Sequence, residues 1–446
     1  MEQTPIEEAK RRCRALISQI KNTSKSPSLW KTTLLRLVNS ELSFLDRLNH
    51  SSVSHSVPLS LNIGHLEAVC CIIGHPSVTS VARVCKSIPT SPPQNRRTGD
   101  SRRYIDIVCC HNGNPVWILV SDRNPKYNDF NELRGRVLDV LKAARDSPLT
   151  VRPSSVILSF LNGLRDDVIQ KLRDEFETTE FAGFGDSSSF EHELKEEEGD
   201  WVNVLPCRSF ERACFLEIRI EAFYSSTELV YSKREVKIEN SVEHLEMDKN
   251  TALNLGESFC SLVSRMKSWS AGDIGGNAEL VNFDTTALVA AVSGISNGAT
   301  LNVPESDLRA RFKGNYDFVI NQVAAEMMTP IHAVMSDAIS GKRGIVCESV
   351  FSEFQEIVSM CGGPREKLRA QHLLEKLKVV PDSPSARVMS LPTTRKLALK
   401  NKVAFGTGDH WHAPTITANM AFVRAVSQTG MSLFTLEHSP RALVGD

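Results

Sequence analysis

Val281-Asn282-Phe283-Asp284-Thr285-Thr286-Ala287-Leu288 decides how the second half of this chain is read. A short apolar run ends on an acid, and small hydroxyl residues then lead into a helix-compatible run. Two further stretches follow the same grammar. Ile345-Val346-Cys347 precedes Glu348-Ser349-Val350-Phe351-Ser352-Glu353-Phe354, and Gly406-Thr407-Gly408-Asp409-His410-Trp411-His412-Ala413 precedes Thr417-Ala418-Asn419 and Phe422. Each places an acidic or amide side chain at the edge of an apolar element. Together they predict an α/β domain from about residue 278 to 446, with strands at 281–283, 345–347, 403–405, 416–418 and 432–436. Asp284 and Asp409 are expected at the carboxyl ends of strands, where open α/β sheets place their ligands. Ser349 is expected to cap the helix that carries Glu353.

The order of these pieces resembles the PIN-domain superfamily of metal-dependent nucleases. Asp284-Thr285-Thr286, Glu353-Phe354, the Gly-x-x-Asp of Gly406 to Asp409, and Thr417-x-Asn419 before Phe422 carry the resemblance. Pro414 departs from it, because a proline between Asp409 and Asn419 limits any intervening helix to about a turn. The segment 293–344, with a helix expected around Tyr316 to Ser340, also exceeds a minimal domain of that kind. The chain further resembles an uncharacterised eukaryotic family known as a domain of unknown function. That likeness rests on Phe405 to Asp409, on Thr417-Ala418-Asn419 and on Pro440-Arg441-Ala442-Leu443.

The PIN resemblance implies a pocket in which Asp284, Glu353 and Asp409 hold one or two Mg²⁺ or Mn²⁺ ions and catalyse hydrolysis of RNA. Such ions prefer oxygen ligands and can activate water against a phosphodiester. Asn419 would add a neutral oxygen. Thr285, Thr407 and Thr417 would orient the carboxylates through their hydroxyls. The bland reading of each acid alone is a helix cap, a surface residue or a turn. From Lys342 to Lys402 there are twelve Lys or Arg against six Asp or Glu. Arg365, Lys367, Arg369, Arg395, Lys396, Lys400 and Lys402 are therefore candidates for holding phosphates, against the reading of an ordinary solvated face. His410 and His412, next to Asp409, are expected to pack or cap, with no Cys or third His at ligand spacing. Alternatives to the nuclease are an inactive PIN-like module that binds RNA or protein, and a regulatory protein whose N-terminal region does the work.

The first half reads as α+β. A helical hairpin over residues 1–50 breaks near Asn22 to Pro27, and an N-terminal domain follows over 51–270. Tyr104 to Cys110 and Pro115 to Val120 flank Asn112-Gly113, the pair that supplies the positive φ of a tight hairpin. Asp106, this hairpin and Asp122-Arg123 resemble the PD-(D/E)xK nuclease core, with Asn124 where that family has lysine. A strand is expected at Val156 to Leu161 and helices at Asp166 to Glu175 and Leu253 to Trp269. The arginine-containing loop Pro89 to Arg103 and the acidic segment 186–200 are read as solvated. The glycine-rich stretch Ser270 to Ala278 is read as the boundary.

At 446 residues, 41% apolar and 24% charged, the chain suits a soluble protein of two or three domains. A net charge of −1 sets up no global field for nucleic acid or anionic membrane. Eleven cysteines without a Cys-x-x-Cys framework suggest a reducing compartment, with Cys70-Cys71 and Cys109-Cys110 as core thiols. No apolar run is long enough for a membrane span, so the expected location is cytoplasmic or nuclear.

Overall fold

The computed structural model describes residues 5–23, 29–50, 61–88, 103–181, 184, 213–220, 255–269, 279–300 and 303–446. The expected loop at Pro89 to Arg103, apart from the first residue of the strand that follows it, the acidic segment 186–200 and the whole glycine-rich stretch Ser270 to Ala278 lie outside them. The chain divides into two units, Met1–Arg234 with Val426–Leu433, and Glu235–Ala425 with Phe434–Asp446. The division falls earlier than the glycine-rich stretch. The helix expected to close the first region belongs instead to the second, where Arg369 donates to Leu255 O at 2.8 Å and Trp269 donates to Gly344 O at 3.0 Å.

The N-terminal unit opens with the expected helical hairpin, α1 (Pro5–Asn22) and α2 (Leu29–His50), followed by α3 (Ile63–Gly74). Its sheet contains β1 (Val78–Ile88), β2 (Arg103–His111), β3 (Asn114–Ser121), β4 (Ser155–Phe160), β5 (Thr179–Glu180) and β6 (Cys214–Arg219), in the order β1-β2-β3-β4-β6-β5. The β3–β4 pair is parallel and every other pair is antiparallel. Asn112 and Gly113, at φ 47° and 83°, form the hairpin turn between β2 and β3 as their sequence predicts. Side-chain alternation along β3 explains the layering. Val116, Ile118 and Val120 join a core with α1–α3, whereas Trp117 and Leu119 join one with α4 (Phe130–Asp146) and α5 (Asp166–Phe176). Cys70, Cys71, Cys109 and Cys110 are buried, as expected.

The second unit contains an all-parallel sheet flanked by helices. Its strands are β7 (Leu280–Phe283), β8 (Arg343–Cys347), β9 (Lys378–Val380), β10 (Thr415–Thr417) and β11 (Thr435–Glu437), in the order β11-β10-β7-β8-β9. After β7 the chain builds outward through β8 and β9, then returns to the other side of β7 for β10. The strand order therefore reverses between β7 and β10, and the carboxyl ends of that pair form a natural crevice. The helices, in chain order, are α6 (Glu257–Ser264), α7 (Thr285–Val292), α8 (Glu305–Phe312), α9 (Tyr316–Met328), α10 (Ile331–Ile339), α11 (Glu348–Cys361), α12 (Pro364–Lys376), α13 (Ala386–Met389), α14 (Leu399–His410) and α15 (Met420–Thr429). The single helix expected around Tyr316 to Ser340 is two, α9 and α10, separated at Thr329-Pro330, because proline cannot continue a helical ladder.

One strand expectation fails, and one strand was not foreseen. The run at 403–405 is helical, within α14, and Lys378–Val380 forms a strand that was not anticipated. The two glycines of α14 explain the first miss. A Cβ on Gly406 would approach Pro384 Cβ to 2.7 Å, and one on Gly408 would approach Asn282 Nδ2 to 2.8 Å. These glycines let a helix lie closely against its neighbours and do not mark a loop. Among the described residues, no helix is long and apolar enough to cross a membrane.

Candidate functional site

Asp284 follows directly on β7 and serves as the N-cap of α7, accepting from the Ala287 amide at 2.8 Å. The same oxygen accepts from Thr286 Oγ1 at 2.6 Å, and the other oxygen accepts from Thr417 Oγ1 at the end of β10. Thr286 Oγ1 in turn accepts from the Ala418 amide at 2.7 Å. The carboxylate thus ties together the two strands at the switch point. It is only 5% exposed. Burial pushes its carboxyl up to about 6, against the hydrogen bonds from Thr286, Thr417 and the Ala287 amide that hold it down.

Glu353 lies in the second turn of α11 and faces the same place. Its Oε2 accepts from Thr285 Oγ1 at 2.9 Å, which bridges it to the residue beside Asp284. Its Oε1 accepts from Lys400 Nζ at 2.8 Å. Cys347 rather than Ser349 is the N-cap of this helix, and Ser349 donates through both its amide and its hydroxyl to Asp382 Oδ1, each at 3.1 Å.

Asp284, Thr285, Thr286, Glu353, Lys400, Asn401 and Asn419 line one cleft of about 780 Å³. Pro440-Arg441-Ala442-Leu443 forms another part of its wall. There the Arg441 guanidinium is anchored by Glu326 at 2.6 Å and is not directed to solvent. Asn419 both lines the cleft and caps α15, its Oδ1 accepting from the Phe422 amide at 3.2 Å.

Asp409 is placed otherwise than expected. It sits in the last turn of α14, not at a strand end, and is not among the residues lining the cleft. Its Oδ2 accepts from Ser385 Oγ at 2.5 Å and from Arg387 Nε at 2.8 Å. That pairing fastens α13 and its N-cap Ser385 to α14. Thr407, expected beside the carboxylates, is fully buried and accepts from the Ser383 amide at 3.2 Å. Because the 403–405 run is helical, the residues brought into the cleft come from the first turns of α14. Its polar contributors there are Lys400 and Asn401, two turns before Asp409, with Ala404 and Phe405 adding apolar wall from the next turn.

The basic residues divide similarly. Lys402 is buried and donates to Met389 O, Leu391 O and Thr393 Oγ1 at 2.9–3.3 Å. Arg369 is buried, donating to Leu255 O and Val292 O and pairing with Asp446 at 2.9 Å. Both are committed to the interior of the fold. Arg365, Lys367, Arg395, Lys396 and Lys400 are exposed. Thr286 and Asn401 were not singled out by sequence reasoning. Thr286 was visible as the second hydroxyl after Asp284, whereas Asn401 required the helical phase of α14.

In the N-terminal unit, Asp106 is buried and accepts from the Val120 amide at 2.8 Å, while its other oxygen lies 3.1 Å from His65 Nε2. Asn124 uses its side chain to cap the short turn Pro125–Tyr127, accepting from the Lys126 amide at 3.0 Å.

Fold and site together define a parallel α/β domain with a two-carboxylate cleft at its topological switch point. Residues 281–446, which contain every residue lining that cleft, match the family described as "Protein of unknown function (DUF1308)". No solved structure matches the chain.

Proposed function

We propose that the C-terminal domain is a PIN-like, Mg²⁺- or Mn²⁺-dependent ribonuclease module whose reaction centre is the Asp284–Glu353 cleft. One observation carries this reading. Carboxylates from two separate elements converge, with Thr285 linking them, in a cleft where the strand order reverses. The donor set is made of hard oxygens, two from carboxylates and two from the amides of Asn401 and Asn419, which suits these ions. Burial of Asp284 without a cationic partner among the described residues also favours a cation there. When bound, one such ion polarises a phosphoryl oxygen and lowers the pKa of water. Asp284 and Glu353 would hold it, and Thr285, Thr286 and Thr417 keep their carboxylates oriented. Lys400, with 69% of its side chain exposed, offers an ammonium to the phosphate backbone, and Arg395 and Lys396 are solvent-facing. Asp409 has no part in this reading.

A non-catalytic RNA- or protein-binding module is the second reading. It is favoured by the Lys400–Glu353 ion pair at 2.8 Å, which already neutralises one of the two carboxylates. Thermal melting with and without Mn²⁺, paired with cleavage of single-stranded RNA, separates the two. Metal-dependent cleavage lost in Asp284→Asn and Glu353→Gln supports the nuclease. A metal-dependent melting shift without cleavage of varied RNAs supports the binding module. Neither effect in the wild type would leave the two acids as a helix cap and a surface ion pair.

A further inference from the structure

Strands β1 and β2 pair Val84 with Ile107 and Lys86 with Ile105, so Cys85 lies directly opposite Asp106. Cys85 adopts φ 47°, a left-handed conformation unusual for a side chain with a Cβ, on a strand whose register has already shifted between Thr79 and Arg83. Such irregularities commonly re-aim a side chain at a functional position. His65, in the first turn of α3, reaches the same spot, with Nε2 3.1 Å from Asp106 Oδ1. One donor atom from each of His65, Cys85 and Asp106 lies within 4.8 Å of the other two. Asp106 and Cys85 are 1% and 8% exposed. The His65 side chain is 23% exposed, which leaves a route from solvent.

We propose that His65, Cys85 and Asp106 bind one borderline-soft divalent transition metal, Zn²⁺ foremost, leaving a fourth position open to water or an exogenous ligand. This goes beyond the function proposed for the cleft and does not depend on it. An imidazole nitrogen, a thiolate and a carboxylate form a donor set that zinc accepts and that Mg²⁺ and Ca²⁺ do not select. Tetrahedral zinc, with bonds of about 2.0 Å to nitrogen and oxygen and about 2.3 Å to sulfur, separates its ligands by roughly 3.3–3.6 Å. The His65–Asp106 edge is already close to that length, so the donors need only modest closure. The Val120 amide supplies the outer hydrogen bond that fixes a ligating carboxylate.

Burial alone lowers the basicity of His65, but its hydrogen bonds to Asp106 and Cys85 and the nearby charge outweigh burial and raise its pKa to about 10. Zinc takes a neutral imidazole and a thiolate, so loading should release protons.

The test uses the purified full chain, stripped by a chelator and titrated with Co²⁺ as a spectroscopic probe, then with Zn²⁺. The expected result is one Co²⁺ per chain with a thiolate-to-cobalt charge-transfer band and tetrahedral visible bands. Stoichiometric Zn²⁺ should bleach them and excess Mg²⁺ should not. Cys85→Ser, close in size to the native residue, should abolish the charge-transfer band with an unchanged far-ultraviolet circular dichroism spectrum. His65→Gln should lower Zn²⁺ affinity by at least the roughly 10–100-fold that loss of an outer-shell partner costs. A folded wild type with no such band would overturn the proposal. So would a band that persists unchanged in Cys85→Ser, since the metal would then sit on other cysteines. In either case the cluster is a His65–Asp106 pair beside Cys85 and holds no metal.

Discussion

Replacing Asp284 by asparagine should stabilise the metal-free protein at neutral pH even though it removes a helix-capping carboxylate. The Asp284 carboxyl has a pKa of about 6 in the folded chain against an ordinary value of 3.8. Its folded pKa is raised, so the folded state holds the proton more tightly. The group's favourable contribution is fully present below 3.8 and is lost as pH climbs through about 6. Once both states are ionised the loss is worth about 3 kcal/mol, and at pH 5 it is roughly half of that. Asparagine removes this charge cost while remaining a good N-cap, so its oxygen keeps the Ala287 amide and the Thr286 hydroxyl. The Thr417 hydroxyl must turn to accept instead of donate, a loss of about 1 kcal/mol. The net expectation at pH 7.5 in a chelator is a gain of about 1–2 kcal/mol, shrinking to near zero at pH 5. Urea denaturation of both proteins at the two pH values measures it. A variant that is less stable by the same amount at both pH values would refute the reasoning. It would mean that the carboxylate acts only as a cap and carries no desolvation cost.

Four further outcomes follow from the same geometry. Asp409→Asn should leave any Mn²⁺-dependent melting shift intact but lower stability by about 1–3 kcal/mol, because the buried Arg387 guanidinium loses its anionic partner. Lys400→Gln should tighten Mn²⁺ binding by up to about five-fold, the ceiling for an exposed ion pair, while weakening RNA binding; titration calorimetry reads both. Glu366 is fully buried and accepts from the amides of Gly294, Gly363, Val444 and Gly445 at 2.8–3.0 Å. Glu366→Ala should therefore cost at least about 3 kcal/mol in denaturant midpoint analysis and speed amide exchange at Val444 and Gly445. Gly408→Ala should destabilise by about 1–2 kcal/mol despite the better helix propensity, since its Cβ would crowd Asn282 Nδ2 at 2.8 Å and Ala413 O at 3.1 Å.

Much of the domain was legible because its signals are local. Asp284-Thr285-Thr286 after Val281 to Phe283 announces a strand end and a helix cap within eight residues, and both are present. Asn112-Gly113 announces its own turn, and the α1–α2 hairpin follows from apolar spacing. The 403–405 run could not be assigned in the same way. Three apolar residues fit a buried strand or a helix segment equally well, and the glycines just after them favoured a short strand ending there.

What sequence alone determined is therefore the set of edges, meaning which acids and hydroxyls stand where an element begins or ends. That information lies in backbone propensity and capping, which act over a few residues. Only the tertiary structure decided which edges meet. Strand order brought Thr417 to Asp284 across residues far apart in the chain, and close packing of α14 through Gly406 and Gly408 set that helix's phase. The phase turned Lys400 and Asn401 into the cleft and carried Asp409 to Arg387. Likewise, the register of β1 on β2 set Cys85 opposite Asp106, and the packing of α3 brought His65 to them. Side-chain convergence depends on long-range pairing and on space between elements, and neither is encoded at any single position along the chain.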